Sequence, residues 1–266
     1  MINSSIRQNA KNCGLCRLEN PKNAQIRHFR QLGRERAYRR ETGLFLCDGA
    51  KLLQEAVQNG ARIGEILLSR GGAAPERLPD VPVYEAEEEI FDYASPLENS
   101  PGPLFTVYTE PKKGKDPPER VIVLENVQDP GNIGTVLRTA AALGTDLVIL
   151  TGNCADPFQP KTVRAAMGAL FRQPLWEVDP DELMDALKKW GLPLYGAALA
   201  PDSADVRSFD LTRAAVAVGN EGKGLTEELL SRCGGKLIIP MTPGSESLNA
   251  AVAASLVMWE MARNDR

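Results

Sequence analysis

The stretch VIVLENVQDPGNIGTVLRTAAALG, residues 121–144, places an apolar strand before a polar turn and an amphipathic helix. Its continuous apolar start is typical of a parallel strand that is buried on both faces of a sheet. After the turn, Ile133, Val136, Leu137 and Ala140 recur at the spacing of one helical face. A strand, a turn and a helix in this order form the repeating unit of an α/β domain.

The same pattern continues through the second half of the chain. Apolar runs predict further strands at 147–150, 194–199, 215–218 and 237–239, and helical patterns separate them at 161–169, 180–190 and 226–232. We therefore predict an α/β fold with a mostly parallel sheet for a carboxy-terminal domain over residues 120–266.

The first half predicts a second, smaller domain. Short strands alternate with helices over residues 23–108, as expected of a small α/β domain, and a basic leader, residues 1–22, precedes it. Residues 109–119 (TEPKKGKDPPE) contain three prolines and no large apolar side chain. This composition is typical of an extended linker, so we place the domain boundary there.

Charge is distributed unevenly along the chain. Residues 1–40 contain ten Lys and Arg but two Glu, in a chain whose net charge is −4. A basic end on an otherwise acidic protein indicates contact with a polyanion such as RNA. The arginines predicted to bind RNA phosphates are Arg27, Arg30, Arg34, Arg36, Arg39 and Arg40. Two alternatives stay open: a solvated basic leader, or pairing of these arginines with acidic residues such as those at 85 and 87–89.

Several classes of protein are disfavoured by composition. No run reaches the roughly 18 apolar residues of a membrane span, and the amino terminus does not resemble a signal peptide, so we expect a cytoplasmic protein without membrane contact. Five cysteines, an odd number, indicate reduced thiols. Cys13 and Cys16 form a CxxC that could be half of a zinc site, but no second pair follows at suitable spacing, so no metal is predicted.

Three polar segments follow predicted strands at 129–144, 216–229 and 237–256. Open α/β sheets bind ligands beside the carboxyl ends of their strands, so these segments predict one composite pocket and an enzyme. The glycine-rich segment that begins at Gly219 matches neither the Walker pattern nor GxGxxG, although its glycines permit close approach to a ligand. Taken alone, Asn132 and Arg138 would be read as a helix cap and a surface residue.

Together these segments resemble the three signature motifs of the SpoU/TrmH family of SPOUT RNA methyltransferases. The matching residues are Asn132-Ile133-Gly134 with Arg138, Gly219-Asn220-Glu221-Gly222 with Gly224, and Ile239-Pro240-Met241 with Ser247-Leu248-Asn249. The segment VRAAMGALF, residues 163–171, is similar to the part of the family between these motifs. The amino-terminal region looks like the substrate-binding domain of the family, in a looser match.

The resemblance implies S-adenosylmethionine as the cofactor, bound in a deep trefoil knot, and a homodimer formed through the carboxy-terminal domain. By the match, the cofactor site contains Leu199, Gly219, Asn220, Gly222, Ile239, Met241 and Leu248, with Ala200 as a weaker candidate. The catalytic residues implied by the match are Arg138, Asn132, Glu221, Ser247 and Asn249.

The implied reaction is methylation of a ribose 2′-hydroxyl, most simply in 23S ribosomal RNA. The single histidine, His28, lies outside the catalytic domain, and we interpret it as a basic-surface residue. By the family resemblance, Arg138 lies at the reacting hydroxyl, where it acts either as a base or as a clamp on an RNA phosphate. Because a guanidinium stays protonated, it binds a phosphate more readily than it removes a proton. Alternatives are a resistance-conferring or tRNA methyltransferase of the same family, and a non-catalytic ribosome-assembly protein that binds RNA.

Overall fold

The computed structural model describes residues 15–71, 78–98, 100, 102–242, 244 and 247–263. The chain divides into two compact units, of which the first comprises residues 1–110 with 158–164 and the second comprises 111–157 with 165–266. Residues 109–119 contain neither helix nor strand. The segment 158–164 also belongs to the first unit, although it lies within the sequence range of the second. The predicted domains, each a continuous range of residues, do not include this exchange.

The first unit is a mixed sheet covered by short helices. Its strands are Cys16–Leu18 (β1), Leu44–Asp48 (β2), Ile63–Ser69 (β3), Val83–Ala86 (β4) and Leu104–Tyr108 (β5), and its helices are Ala24–Arg34 (α1), Arg36–Thr42 (α2), Ala50–Gln58 (α3) and Glu88–Ala94 (α4). The strand order is β1-β4-β3-β5-β2, with β5 antiparallel to both of its neighbours. Ile26, Phe29 and Leu32, at helical spacing, bury the inner face of α1 in the core.

Strand β1 differs from the sequence interpretation. Residues 16–18, predicted to belong to a basic leader, pair in parallel with residues 84–86 of β4. Across these two strands, Arg17 Nε lies 3.3 Å from Glu85 Oε2. The pairing satisfies backbone groups along the β4 edge. Cys16 is a free thiol in β1, whereas Cys13 lies outside the described residues.

His28 is not the basic-surface residue that the sequence suggested. Its Nδ1 lies 2.8 Å from the Tyr38 hydroxyl, and its Nε2 lies 3.3 Å from Oε1 of Glu65. The side chains of His28 and Glu65 are 17% and 13% exposed. Burial disfavours both charged forms, so it lowers the pKa of His28 to about 4 and raises the pKa of Glu65 to about 7. These groups form a half-buried polar cluster that joins α1, α2 and β3.

The second unit is a parallel sheet flanked by helices. Its strands are Arg120–Glu125 (β6), Leu147–Thr151 (β7), Leu175–Val178 (β8), Leu194–Ala197 (β9), Ala204–Asp205 (β10), Ala214–Val218 (β11) and Gly235–Ile238 (β12). Its helices are Pro130–Leu143 (α5), Pro180–Trp190 (α7), Glu227–Ser231 (α8) and Ala250–Ala262 (α9), and a further helix, Pro160–Ala166 (α6), begins in segment 158–164.

The strand order of this sheet is β10-β12-β9-β11-β6-β7-β8, and every pair is parallel. The predicted α/β fold with a mostly parallel sheet is confirmed. The chain moves from β6 towards β8 on one side, and the later strands lie on the other side of β6. Such a change of direction creates a crevice outside the carboxyl ends of the strands, where α/β folds bind ligands. The carboxyl ends of β6 and β11 meet at this crevice.

Some predicted elements have different ends. Strand β9 ends at Ala197 rather than at residue 199, and the edge strands β8 and β10 were not predicted, because they are short and only partly buried. Helix α6 ends at Ala166 rather than at residue 169. Met167 and Gly168 have φ angles of 46° and 79°, a left-handed conformation that stops an α-helix.

Helix α9 packs along α5. Ser255 Oγ lies 3.3 Å from Thr139 Oγ1, and Ala250, Ala251 and Ala254 are buried. These small side chains let the two helix backbones approach closely. Within the described residues, no helix is both long and apolar enough to cross a membrane. The deep trefoil knot implied by the family resemblance stays a prediction.

Candidate active site

Three side chains from the three motif segments form one hydrogen-bonded chain at the crevice. Asn132 Nδ2, in the first turn of α5, donates to Glu221 Oε1 at 2.5 Å. Asn249 Nδ2 donates to Asn132 Oδ1 at 3.0 Å. These contacts join residues 89 and 117 positions apart in the sequence. We call Asn249, Asn132 and Glu221 the amide junction.

Asn132 is free for this role because another residue caps its helix. Asp129 Oδ1 accepts from the Gly131 amide at 2.8 Å, and Pro130 occupies the first helical position. The suggestion that Asn132 caps α5 is therefore wrong. Asn132 is buried, and its side-chain amide binds Glu221 through Nδ2 and Asn249 through Oδ1.

Asn249 has two functions in the structure. Its Oδ1 accepts from the backbone amides of Ala251 and Val252 at 2.9 and 3.2 Å, and thereby caps α9. Its Nδ2 is left to bind Asn132. The cap fixes the side-chain orientation, so the start of α9 sets the geometry of the amide junction.

The loop from Gly219 to Leu225 is closed on itself. Asn220 and Gly224 exchange two backbone hydrogen bonds of 3.0 and 2.9 Å. Asn220 Oδ1 also accepts from the amides of Gly222 and Lys223 at 3.0 and 3.1 Å. A Cβ at Gly219 would lie 2.2 Å from the Gly224 carbonyl carbon, so only glycine fits at this position. We call residues 219–225 the glycine loop.

The predicted cofactor residues follow three neighbouring strands. Leu199, Gly219 and Ile239 come shortly after β9, β11 and β12, and β9 lies between the other two strands in the sheet. Because all three strands are parallel, these residues lie at the same edge. Leu199 is 57% exposed and lies on a turn after β9. In this turn the Ser203 hydroxyl donates a hydrogen bond to the Ala198 carbonyl at 2.8 Å. Ala200 lies on the same turn.

The remaining candidates lie between β12 and α9. Ile239, Met241 and Leu248 are half-buried, and Ser247 is exposed. No hydrogen bond of Ser247 is found among the described residues, so the structure does not bring its hydroxyl into the amide junction. Residues 243, 245 and 246 lie outside the described residues. Half-exposed apolar side chains at this edge can contact a flat apolar group.

Arg138 lies on the exposed side of α5, as its sequence position predicted. At 1.5 Å per residue, it lies about 9 Å along the helix from Asn132. In the described part of the chain, no ion pair or hydrogen bond joins Arg138 to another residue. Glu221 binds Asn132 and not Arg138.

Sequence reasoning missed two residues at the crevice, Glu125 and Thr226. Glu125, the last residue of β6, is 3% exposed and accepts from the Thr226 amide and hydroxyl. The only signal was an acidic residue at the end of an apolar run. Cys154 and Cys233 also lie in this unit, but burial raises the pKa of each thiol to about 11, so neither is a thiolate nucleophile at neutral pH.

The six arginines of the predicted RNA surface are placed differently from one another. Arg27 and Arg34 are exposed on α1. Arg30 lies over the Tyr93 ring at 3.9 Å and donates to the Tyr93 carbonyl at 2.6 Å. Arg39 is 5% exposed, and its Nη1 donates to the Leu32 carbonyl at 2.6 Å.

On α2, Arg36 is half-buried and Arg40 is exposed. Among the acidic residues suggested as partners of these arginines, Glu85 contacts Arg17 and Glu87 contacts Arg70. Five of the six arginines thus keep at least part of their side chain at the surface, whereas Arg39 is a buried residue of the first unit.

Comparison with known proteins agrees with the motifs. Residues 119–259 match the SpoU rRNA Methylase family, and residues 23–104 match the MRM3-like substrate binding domain. The 23S rRNA (guanosine(2553)-2'-O)-methyltransferase RlmP of Bacillus subtilis (strain 168) is 32% identical over 245 residues, which cover 92% of this chain and 98% of that protein.

Two solved structures with bound AdoMet are also similar. The SpoU methyltransferase AviRb from Streptomyces viridochromogenes has a TM-score of 0.82 at 27% identity, and the match covers 92% of this chain and 98% of that chain. An rRNA methyltransferase from Sinorhizobium meliloti has a TM-score of 0.81 at 26% identity, covering 94% and 98%. With the family match at 119–259 and a relative at 32% identity over nearly the whole chain, this protein belongs to the SpoU rRNA methylase family.

Proposed function

We propose that this chain transfers a methyl group from S-adenosylmethionine to a ribose 2′-hydroxyl of 23S ribosomal RNA. The observation that carries the proposal is the amide junction, which unites the three motif segments. The name of the Bacillus relative supports the substrate, and the AdoMet-bound neighbours support the cofactor. Because ribosomal RNA would be the substrate, we also propose a cytoplasmic location.

The residues at the edge of β9, β11 and β12 fit the proposed cofactor. The glycine loop carries no side chain at Gly219, Gly222 or Gly224, so a ligand at this edge would meet backbone groups, including those of Asn220 and Gly222. Leu199, Ile239, Met241 and Leu248 supply partly exposed apolar surface of the kind that an adenine ring contacts. When bound, S-adenosylmethionine would supply an electrophilic methyl group.

Arg138 would act on the RNA. Its guanidinium is exposed and is not bound to an acidic residue in the described ranges, so it can bind an RNA phosphate and stabilise negative charge on the attacking oxygen. We favour this clamp over a base because guanidinium groups stay protonated at physiological pH. Asn132, Glu221 and Asn249 would hold the start of α5 against the glycine loop, and the exposed Ser247 would hydrogen-bond to the RNA.

RNA would also bind the first unit. Arg27, Arg30 and Arg34 recur at i, i+3 and i+7, which places them on one side of α1. With Arg36 and Arg40 of α2 they would bind phosphates, which fits the match to a substrate-binding domain. We omit Arg39 from this surface because its guanidinium is buried.

We further propose a homodimer formed through α9. Val252, Leu256 and Trp259 are 47%, 43% and 49% exposed, and their spacing places them on one side of the helix. An exposed apolar stripe on an otherwise buried helix is typical of an isologous interface. Trp259→Glu should therefore convert the protein into a 28.9 kDa monomer in light scattering. A wild-type protein that is already monomeric at low micromolar concentration would contradict the proposal.

The test of the activity uses ribosomal RNA from a strain that lacks the gene. Purified protein with radiolabelled S-adenosylmethionine should label 23S RNA, and mapping of 2′-O-methyl groups should find one new site. Labelling of tRNA alone would favour the tRNA alternative. Cofactor binding without labelling of either RNA, in intact ribosomal particles as well, would favour a non-catalytic assembly protein.

A further inference from the structure

Glu125 is a buried carboxylate that the proposed reaction does not use. It ends the apolar strand β6 and is 3% exposed. Its Oε2 accepts from the Thr226 amide at 2.7 Å, and its Oε1 accepts from the Thr226 hydroxyl at 2.6 Å. Within the described residues it has no ion pair with Lys, Arg or His. A carboxylate is costly to bury, so these two hydrogen bonds are needed to hold it there.

The contact lies at the far end of the glycine loop. Strand β11 runs beside β6, with Val218 opposite Leu124, so the loop leaves the sheet one residue beyond that pair. Asn220 Nδ2 donates to the Asn126 carbonyl at 3.1 Å and fixes the near end. Thr226 follows the loop and is fixed by Glu125. Both ends of the glycine loop are thus bound to the end of one strand.

Thr226 also begins the next helix. Its Oγ1 accepts from the Leu229 amide at 3.2 Å and caps α8. A single side chain therefore joins the loop, the helix and the strand. Without Glu125, the Thr226 amide and hydroxyl would lose their shared acceptor, and the loop would be held at its near end only.

We propose that Glu125 is a positioning residue that holds the glycine loop, through Thr226, in the conformation that binds S-adenosylmethionine. This inference rests on the proposed function and assigns Glu125 to cofactor affinity rather than to methyl transfer itself. It does not require contact between Glu125 and the cofactor.

Two substitutions test the contact, and the chain offers a matched control. Glu125→Met removes both acceptors at similar volume, and Thr226→Val removes the hydroxyl, whereas Thr226→Ser keeps it. Asp146 is the control, because its Oδ2 accepts from the amides of Glu119 and Arg120 at 2.8 and 2.9 Å, at the opposite end of β6. Asp146→Asn should lower thermal stability without changing cofactor affinity.

The first readout is calorimetric binding of S-adenosylmethionine to the full chain. Glu125→Met and Thr226→Val should weaken binding roughly tenfold, the loss of about one charge-assisted hydrogen bond. Thr226→Ser should bind like the wild type. In methyl transfer, the KM for S-adenosylmethionine should rise similarly while kcat at saturation stays within about threefold of the wild type.

The second readout needs no cofactor. Hydrogen exchange of the unliganded protein should be faster at the glycine-loop amides in Glu125→Met but not in Asp146→Asn. Unchanged affinity with unchanged exchange would overturn the inference. If Glu125→Met does not fold, equal affinity of Thr226→Val and Thr226→Ser would overturn it. If the wild type itself fails to bind S-adenosylmethionine, the proposed function fails instead.

Discussion

The two units each contain a polar network, and they differ in place and in chemistry. The cluster of His28, Tyr38 and Glu65 joins α1, α2 and β3, and burial lowers the pKa of His28 to about 4 and raises the pKa of Glu65 to about 7. The amide junction lies where three strands end, and two of its three members are neutral amides. Shifted pKa values often mark active sites, but here they mark a structural cluster. Position at the carboxyl edge of the sheet is the better guide.

The largest effect should come from Arg138, whose guanidinium is exposed on α5. Arg138→Ala should lower methyl transfer by about 10³-fold, because a positioned charge next to the developing negative oxygen is lost. Affinity for S-adenosylmethionine, measured by calorimetry, should change little. His28→Gln is the matched control in the other network and should leave kcat unchanged. Loss of cofactor binding in a folded Arg138→Ala protein would contradict the role given to Arg138.

A smaller effect should separate the two functions of Asn249. Asn249→Ser keeps an oxygen that caps α9 but removes the donor to Asn132. We expect a roughly 10- to 100-fold loss of kcat, since loosening of a catalytic arrangement costs this much. The melting temperature should stay near that of the wild type. Asn249→Ala removes the cap as well and should lower both quantities.

If Asn249→Ser and Asn249→Ala lost activity and stability in equal proportion, Asn249 would be a cap only. The amide junction would then be a structural network like the cluster around His28, and the distinction between the two regions would fail.

In the first unit, exposed and buried arginines should respond differently to substitution. Replacing Arg27 and Arg34 by Gln should weaken RNA binding and reduce its salt slope by about 1.4, at about 0.7 per phosphate contact for single strands. Arg39→Gln should instead lower thermal stability, because it removes the bond to the Leu32 carbonyl. Filter binding at two salt concentrations and thermal melts measure both. An unchanged slope in the double variant would exclude these phosphate contacts.

The smallest effect is a pH dependence in the cluster around His28. The pKa of His28 is lowered to about 4, so the unfolded chain binds this proton more readily and stability falls as pH drops from about 6.5 to 4. The pKa of Glu65 is raised to about 7, so the folded state binds its proton more readily and stability falls as pH rises from about 4.5 to 7. The two trends oppose each other in the wild type.

Single variants should reveal each trend in denaturant titrations. Glu65→Gln leaves His28 and should lose stability on acidification below pH about 6.5, relative to His28→Gln. His28→Gln leaves Glu65 and should lose stability as pH rises towards about 7. If the free energy of unfolding of the two variants depended on pH in the same way, the pKa shifts assigned to His28 and Glu65 would be wrong.

The place of the candidate site was predictable from the sequence, because polar turns after predicted strands mark one edge of an α/β sheet. The resemblance to the SpoU/TrmH motifs, and not apolar periodicity, singled out Asn132, Glu221 and Asn249. The partner of each was not predictable. The structure pairs Glu221 with Asn132 and Glu125 with Thr226, residues far apart in the sequence. Short-range sequence patterns do not predict the order of the strands, and it is this order that places β11 beside β6.

The sequence by itself determined the family, the parallel sheet of the second unit and the amino-terminal α/β unit, because apolar spacing and motif residues are local properties of the chain. The tertiary structure decided which polar groups are buried and whom they bind. Arg39 and Arg40 are adjacent, yet only Arg39 is buried, and His28 lies among arginines but is half-buried against Tyr38 and Glu65. The amide junction joins residues 89 and 117 positions apart. Such contacts follow from the packing of strands and helices, since burial and hydrogen bonding depend on neighbours in space.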